Sequence, residues 1–192
     1  MIDLKKLDNE KYRSFTENRK LGVAVLAAVI ILSVLLSGGG KLGAKRGEAL
    51  NVYKNGDGYG SVSDDLARRV ECAYDLYSTA SRYEAIPAET VRKVETLTAK
   101  LEKAKPGAEM EQIHKDLSRA VEDLYSAIEN ASLSASDAEY AKGEYKEFVS
   151  RGMTMSRDAY NEAAEKYNKL AGGFPAALVA GLTGNGALPV FE

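Results

Sequence analysis

The chain has 192 residues, 45% of them hydrophobic and 28% charged, and a formal net charge of -2. This size suits one modest domain with an appendage, and the charge argues against a dedicated nucleic-acid binder, which would carry a basic face. A single cysteine, Cys72, and a single histidine, His114, exclude an internal disulfide framework and a zinc site built from several Cys or His side chains.

The chain begins with a polar segment, residues 1–20, followed by twenty residues that carry no charge, residues 21–40. As a helix rising about 1.5 Å per residue, this run would be about 30 Å long, the thickness of the hydrocarbon core of a bilayer. A core helix of a small soluble domain is not apolar on every side. The apolar region of a cleaved signal peptide is usually shorter, about 7–15 residues. We therefore predict a retained single-pass anchor that contacts lipid through residues 21–40, with a cleaved signal as the alternative.

Basic residues flank this run on both sides, six before it and four after it. Because basic loops tend to stay in the cytoplasm, this difference favours a cytoplasmic N-terminus and an extracytoplasmic body. The margin between the two flanks is small.

Eight glycines crowd residues 38–60, and no helical apolar stripe is recognisable there. This composition predicts a flexible juxtamembrane loop over residues 41–63.

Apolar residues then recur at helical spacing through most of residues 64–192. A first helix is expected to be capped by Ser63. A second follows Pro87 and stops at Lys105-Pro106-Gly107, a third ends near Asn130, and a fourth runs unbroken to Leu170. Four amphipathic helices bury their stripes by packing together, so we predict an all-α protein in which the anchor precedes an elongated antiparallel four-helix bundle.

The end of the chain carries a motif of two Tyr-Asn pairs seven residues apart, followed by a Phe-Pro and a closing Phe-Glu. The residues are Arg157, Tyr160, Asn161, Tyr167, Asn168, Phe174, Pro175, Phe191 and Glu192. This pattern resembles the C-terminus of the LemA family, and Val70-Glu71-Cys72-Ala73-Tyr74 is similar to the start of that family's first long helix. The resemblance covers residues 70–192. It implies a membrane-anchored helical bundle of no established catalytic activity, often drawn with its N-terminus outside.

The spacing of the Tyr-Asn pairs places each pair two turns apart on one helix face. Buried tyrosine rings and bonded asparagine amides fit a role in bundle packing, and contact with a ligand is the alternative. The apolar residues after Phe174 are expected to fold back against the end of the bundle and to bury Phe174. Lying on the membrane interface is the alternative for this segment.

Three patterns suggest chemistry that we do not adopt. Glu111-x-x-His114 has the spacing of di-metal sites in helical bundles, but such a site needs a second copy and further Glu residues. Asn55-Gly-Asp57-Gly58 resembles part of a calcium loop that lacks its first and twelfth ligands. Cys72 has no second cysteine and is expected to be a buried small hydrophobic residue. We predict no catalytic, cofactor-binding or metal-binding residues.

These observations favour a non-catalytic interaction or scaffold protein of the bacterial envelope, whose partners are other membrane or envelope proteins. The alternative is a membrane-tethered enzyme that depends on a metal.

Overall fold

A computed structural model describes residues 4–56 and 60–191, and within these ranges the chain forms seven helices and no strand. The helices are α1 (Leu4–Asn55), α2 (Val62–Ala80), α3 (Ala88–Lys103), α4 (Ala108–Asn130), α5 (Ala135–Ser156), α6 (Ala159–Gly172) and α7 (Ala176–Thr183). The all-helical prediction is confirmed.

The first helix contains the apolar run and is long enough to cross a membrane by length and composition. Large hydrophobic side chains between Leu21 and Val34 are exposed along this part of α1. No neighbouring protein element covers them, so this part of α1 is not the buried core helix of a soluble domain.

The predicted loop over residues 41–63 is wrong, because α1 continues as one helix to Asn55. Leu42, Ala49 and Tyr53 are buried in the core, at spacings of seven and four that place them on one helix face. The glycines conceal this short stripe in the sequence. Helix α1 is therefore a structural part of the folded body.

The turn from α1 to α2 depends on a glycine. Gly56 has a φ of +62°, and a Cβ there would lie 1.6 Å from the carbonyl oxygen of Gly60. Ser61, rather than the expected Ser63, caps α2 by accepting a hydrogen bond from the Asp64 N–H.

Helices α2–α5 form the predicted antiparallel four-helix bundle, in which α2 packs on α5 and α3, and α3 on α4. Three ion pairs fix the register of α2 against α5, with contact distances of 2.9 Å, 3.1 Å and 2.9 Å. They are Asp65–Arg151, Arg68–Glu144 and Arg82–Asp137. As the residue number rises on α2 it falls on α5, which shows that the two helices are antiparallel.

The predicted fourth helix is interrupted, because α5 ends at Ser156 and α6 begins at Ala159. Asp158 caps α6 by accepting a hydrogen bond from the Tyr160 N–H over 2.7 Å. The break turns α6 out of the bundle and onto α1, where the Tyr160 and Tyr53 rings meet edge to face at 5.3 Å. Because α5 packs on α2 whereas α6 packs on α1, the apolar positions after residue 159 no longer continue the apolar stripe of α5 without a drift.

The short helix α7 packs on α1 at the end of the apolar run. Val179 would be 3.5 Å from a Cβ at Gly38, and Thr183 would be 2.8 Å from one at Gly39. A Cβ at position 38 would make an ordinary van der Waals contact, whereas one at position 39 would be too close to Thr183, so Gly39 is the residue that allows α7 to approach this closely. Helix α1 therefore contacts two elements along its length. Near its C-terminal end, Tyr53 contacts Tyr160 of α6, and about four turns earlier, Gly38 and Gly39 contact α7.

Candidate functional site

Two asparagines of α6 hold the C-terminal tail, which we define as residues 184–191. The Phe191 N–H donates to Asn161 Oδ1 over 3.0 Å, and Asn161 Nδ2 donates to the Phe191 carbonyl over 2.8 Å. Asn168 bonds Leu188 in the same way, at 2.7 Å and 2.8 Å. Each amide thus satisfies both backbone groups of one tail residue, as a neighbouring β-strand would.

Two tyrosines complete this arrangement. The Tyr160 hydroxyl donates to the Pro189 carbonyl over 2.9 Å, and the Tyr167 hydroxyl donates to the Asn185 carbonyl. Burial, followed by the nearby Tyr53, raises the pKa of Tyr160 above its ordinary value, so its hydroxyl stays a donor. We call the four side chains the tail clamp: Tyr160, Asn161, Tyr167 and Asn168.

The spacing of the clamp matches the geometry of the tail. Asn161 and Asn168 are separated by about 10.5 Å along an α-helix. Leu188 and Phe191 are separated by about 10 Å along an extended chain. The seven-residue spacing of the two asparagines on α6 therefore matches the three-residue spacing of their partners in the extended tail.

The tail also supplies apolar side chains that fill the space between α6 and α4. Leu188 and Phe191 are each 1% exposed. The Phe191 ring meets the His114 ring edge to face at 5.1 Å. The Val190 N–H donates to Glu111 Oε2 over 3.1 Å, which ties the tail to α4.

A buried polar cluster lies beneath the end of the tail. Arg69 Nη1 donates to His114 Nε2 over 2.8 Å, and Arg69 Nη2 donates to Ser118 Oγ over 2.8 Å. The guanidinium carbon lies 3.9 Å from the centre of the Phe148 ring, a cation–π contact. Arg69 Nε is buried and has no hydrogen-bond partner among the residues that the structure describes.

Burial, then the charge of Arg69, lowers the pKa of His114 to about 3, and burial lowers the pKa of Arg69 to about 10. The imidazole is therefore neutral at neutral pH and accepts the arginine hydrogen bond through Nε2. This pair orders the centre of the bundle, and it offers no exposed acid or base.

The structure gives Glu111 and His114 different partners. Glu111 Oε1 accepts from Lys115 Nζ at 2.9 Å, while its second oxygen accepts from the tail. His114 faces Arg69, a cation that would repel a metal ion. Across the residues that the structure describes, no group of three His, Cys, Asp or Glu side chains is placed to hold a metal.

The other two chemical patterns have plain structural descriptions. Cys72 is buried, and burial together with Glu144 raises the pKa of its thiol to about 12, which opposes thiolate formation at neutral pH. In the calcium-loop pattern, Asn55 Nδ2 donates to Asn51 Oδ1 over 2.7 Å. Asp57 and Gly58 lie outside the described residues.

The remaining motif residues take separate positions. Arg157 is exposed and forms the C-cap of α5, Pro175 is the N-cap of α7, and Glu192 lies outside the described residues. The expected burial of Phe174 is wrong, because its side chain is 88% exposed. The tail docks through Leu188 and Phe191, which follow α7, and α7 holds Phe174 away from the core.

Sequence reasoning missed Arg69 and its supporting glycine. Arg69 follows Leu66 by three residues and precedes Ala73 by four, so it occupies a core position of the α2 stripe. A Cβ at Gly152 would lie 2.4 Å from Arg69 Nη1, so α5 needs a glycine there. The signal that could have revealed this cluster was a charged residue, Arg69, at a position of α2 that the helical spacing assigns to the buried apolar face.

Comparison with known proteins gives one result that covers most of the chain. Searches of the curated proteins and of the solved structures return no significant match. The sequence model of the LemA family matches residues 59–192, which includes the bundle, the tail clamp and the tail. This chain belongs to the LemA family.

Proposed function

We propose that this chain is a single-pass, membrane-anchored and non-catalytic interaction module of the bacterial cell envelope, with its bundle outside the cytoplasm. Residues 21–40 of α1 form the anchor, and α2–α5 present the surface that other envelope proteins bind. The exposed apolar side chains of α1 support the anchor, since such an extended apolar surface is unfavourable in water. The larger number of basic residues before the anchor supports the orientation.

The tail clamp carries the non-catalytic part of the proposal. The motif residues that could have formed a polar site instead bond the backbone of the chain's own tail. The buried polar cluster bonds internally in the same way, through Arg69, His114 and Ser118. The motif residues then stabilise the fold, and the binding of partner proteins depends on the surface of α2–α5.

The surface best suited to a protein partner is a shallow groove between α3 and α4. Arg92 and Lys93 on α3 face Asp116 and Arg119 on α4 across this groove. Both arginines are exposed, so they are available to carboxylates of a partner protein. The lining mixes both charge signs, which favours a folded protein partner over a nucleic acid.

Site-specific photo-crosslinking in native membranes tests this function. A photoreactive amino acid is placed at Arg92 or Arg119 in the full chain, and a matched control carries it at Glu162, which is exposed on α6. We expect a discrete crosslinked protein from the two groove positions and none from the control. Equal crosslinking from all three positions, or none at all, would contradict the groove as the interaction surface.

Metal analysis of the purified full chain tests the non-catalytic part separately. We expect substoichiometric iron, manganese and zinc. A stoichiometric metal that survives dialysis would instead favour the membrane-tethered enzyme.

A further inference from the structure

We propose that α7 is a second membrane contact, whose exposed apolar face lies in the interface of the leaflet from which the body emerges. The inference rests on the proposed anchor in α1 and adds a role for the C-terminal segment. Its occupant is the lipid bilayer itself.

Large apolar side chains are exposed on α7 and beside it. On α7, Leu178 is 61% exposed and Leu182 is 72% exposed, and because these residues are four apart they lie on the same side of the helix. Phe174, immediately before α7, is 88% exposed, and Leu170, near the end of α6, is 50% exposed. This face is too apolar to be an ordinary water-exposed helix surface.

The adjacent face of α7, which carries Val179 and Thr183, fixes where these side chains lie along α1. Val179 packs on Gly38 and Thr183 packs on Gly39. Asn185 Nδ2 also donates to the Gly39 carbonyl over 3.3 Å. The exposed apolar side chains described on α1 extend to Val34, about one turn before Gly38, so α7 lies close to the point where the proposed anchor leaves the hydrocarbon core.

The charge pattern supports a lipid environment for this segment. No Asp, Glu, Lys or Arg occurs between Leu170 and Phe191. Lys169, just before this segment, and Lys41, just after the apolar run of α1, are exposed. Lysines at such positions can reach headgroup phosphates while the apolar side chains remain below them.

The exposed apolar surface of α7 lies beside that of the proposed anchor, and this position favours lipid over a protein partner as its occupant. Among the described side chains, the exposed apolar surface of α1 extends to Val34, four residues before Gly38, where α7 packs, so a bilayer that surrounds this part of α1 comes within about one helical turn of α7. A protein partner would have to compete with lipid at this position.

Tryptophan fluorescence can test the inference cleanly, because the chain contains no tryptophan. The full chain is reconstituted in phosphatidylcholine vesicles whose acyl chains carry bromine, a quencher, either near the carbonyl end or near the methyl end. Four single variants are compared: the two α7 variants, Phe174→Trp immediately before the helix and Leu182→Trp within it, together with Val25→Trp in the proposed anchor and Tyr74→Trp on α2. The native side chains at all four positions are exposed, so each variant is expected to fold.

We expect both α7 variants to lose emission with bromine near the carbonyl end and to lose less with bromine near the methyl end. Val25→Trp should be quenched and Tyr74→Trp should not. If Val25→Trp is quenched while Phe174→Trp and Leu182→Trp are not, the α7 inference is wrong and the anchor stands. If Val25→Trp is not quenched, the anchor fails and the inference fails with it.

Discussion

At the residue scale, the buried pair of Arg69 and His114 couples the stability of the bundle to pH. The folded state holds the imidazole neutral down to a pKa of about 3, whereas an unfolded chain protonates it near 6.5. Because the folded-state pKa is lowered, the stabilisation is complete above pH 6.5 and is lost as the pH falls toward 3.

We therefore expect His114 to lower the free energy of unfolding by about 2 kcal/mol between pH 6.5 and about pH 5. Urea unfolding of the native chain and of His114→Gln across this range measures the effect. Glutamine keeps an acceptor for Arg69 and does not titrate, so the variant should depend less steeply on pH. Parallel curves for the two proteins would show that His114 is not responsible.

Two phenylalanines of the motif have opposite environments and give a matched pair. Phe191→Ala should lower the stability of the folded body by about 3–5 kcal/mol, because a ring that is 1% exposed leaves a cavity. Phe174→Ala should leave the melting midpoint in solution unchanged, since the Phe174 ring is 88% exposed. Thermal unfolding of a chain of residues 37–192 compares them, and an equal loss for both would mean that Phe174 is buried in solution.

The functional residues differ in how well the sequence predicts them. The seven-residue repeat of Tyr160 and Tyr167 indicates one helix face and buried, bonded side chains. It does not indicate that the partner is the tail, because Asn amides bond any backbone segment and the register of that segment is a tertiary property. The exposure of Phe174 depends on how α7, which begins two residues later, docks on α1. No local sequence pattern predicts that docking.

At the scale of elements, the tail has little regular structure of its own and depends on α6 for its backbone bonds. Each clamp asparagine makes two hydrogen bonds to it, and a typical net contribution is about 1 kcal/mol per bond.

We expect the double variant Asn161→Ala, Asn168→Ala to release the tail. Hydrogen exchange at the Leu188 and Phe191 amides should become much faster, while exchange within α3 stays slow. Asn130→Ala is the control, because that amide bonds only one carbonyl of its own helix, on Ser126, among its described contacts. Unchanged protection of both tail amides in the double variant would refute the clamp.

Two glycines of α5 test the packing of this helix against the buried arginine. Gly143→Ala should stabilise the protein by up to about 1 kcal/mol, since it improves helix propensity and no atom lies within 4 Å of the new Cβ. Gly152→Ala should destabilise it, because the Cβ displaces the Arg69 guanidinium group. Denaturant unfolding of both variants gives the sign, and stabilisation by both would mean that Arg69 moves aside without loss.

The elements themselves were predictable where one apolar face persists over several turns, as in α3 with Val91, Val94 and Leu101. The prediction failed in residues 41–55, where Leu42, Ala49 and Tyr53 are the fully buried apolar residues and two glycines stand between the first two of them. Helix propensity disfavours these glycines, and packing of α7 and α6 overrides it. Asp158 is a capping signal at the break between α5 and α6, but apolar residues continue past it at helical spacing with only a drift, so periodicity alone did not predict that α5 ends at Ser156.

At the scale of the whole molecule, the part of α1 that follows the apolar run packs against the rest of the body, so we expect the fold to depend on it. It contacts α6, α7 and α2. Removing it exposes the face of α6 that carries Tyr160 and Tyr167.

A chain of residues 37–192 should therefore unfold in one cooperative transition, whereas a chain of residues 64–192 should keep α2–α5 folded and lose protection over α6 and the tail. Hydrogen exchange resolved by region distinguishes the two chains. Full protection of α6 in the shorter chain would mean that residues 64–192 fold completely without α1.

The docking of α7 on α1 also has a mechanical consequence. Three consecutive glycines, Gly38–Gly40, would by themselves be a weak point of a helix, at about 1 kcal/mol each relative to alanine. Helix α7 packs against this point from one side, so tilt and rotation of the proposed anchor would be transmitted to the bundle as by a stiff rod. Undocking of α7 would turn the same three glycines into a hinge, and α7 therefore sets how rigidly the body is held on the proposed anchor.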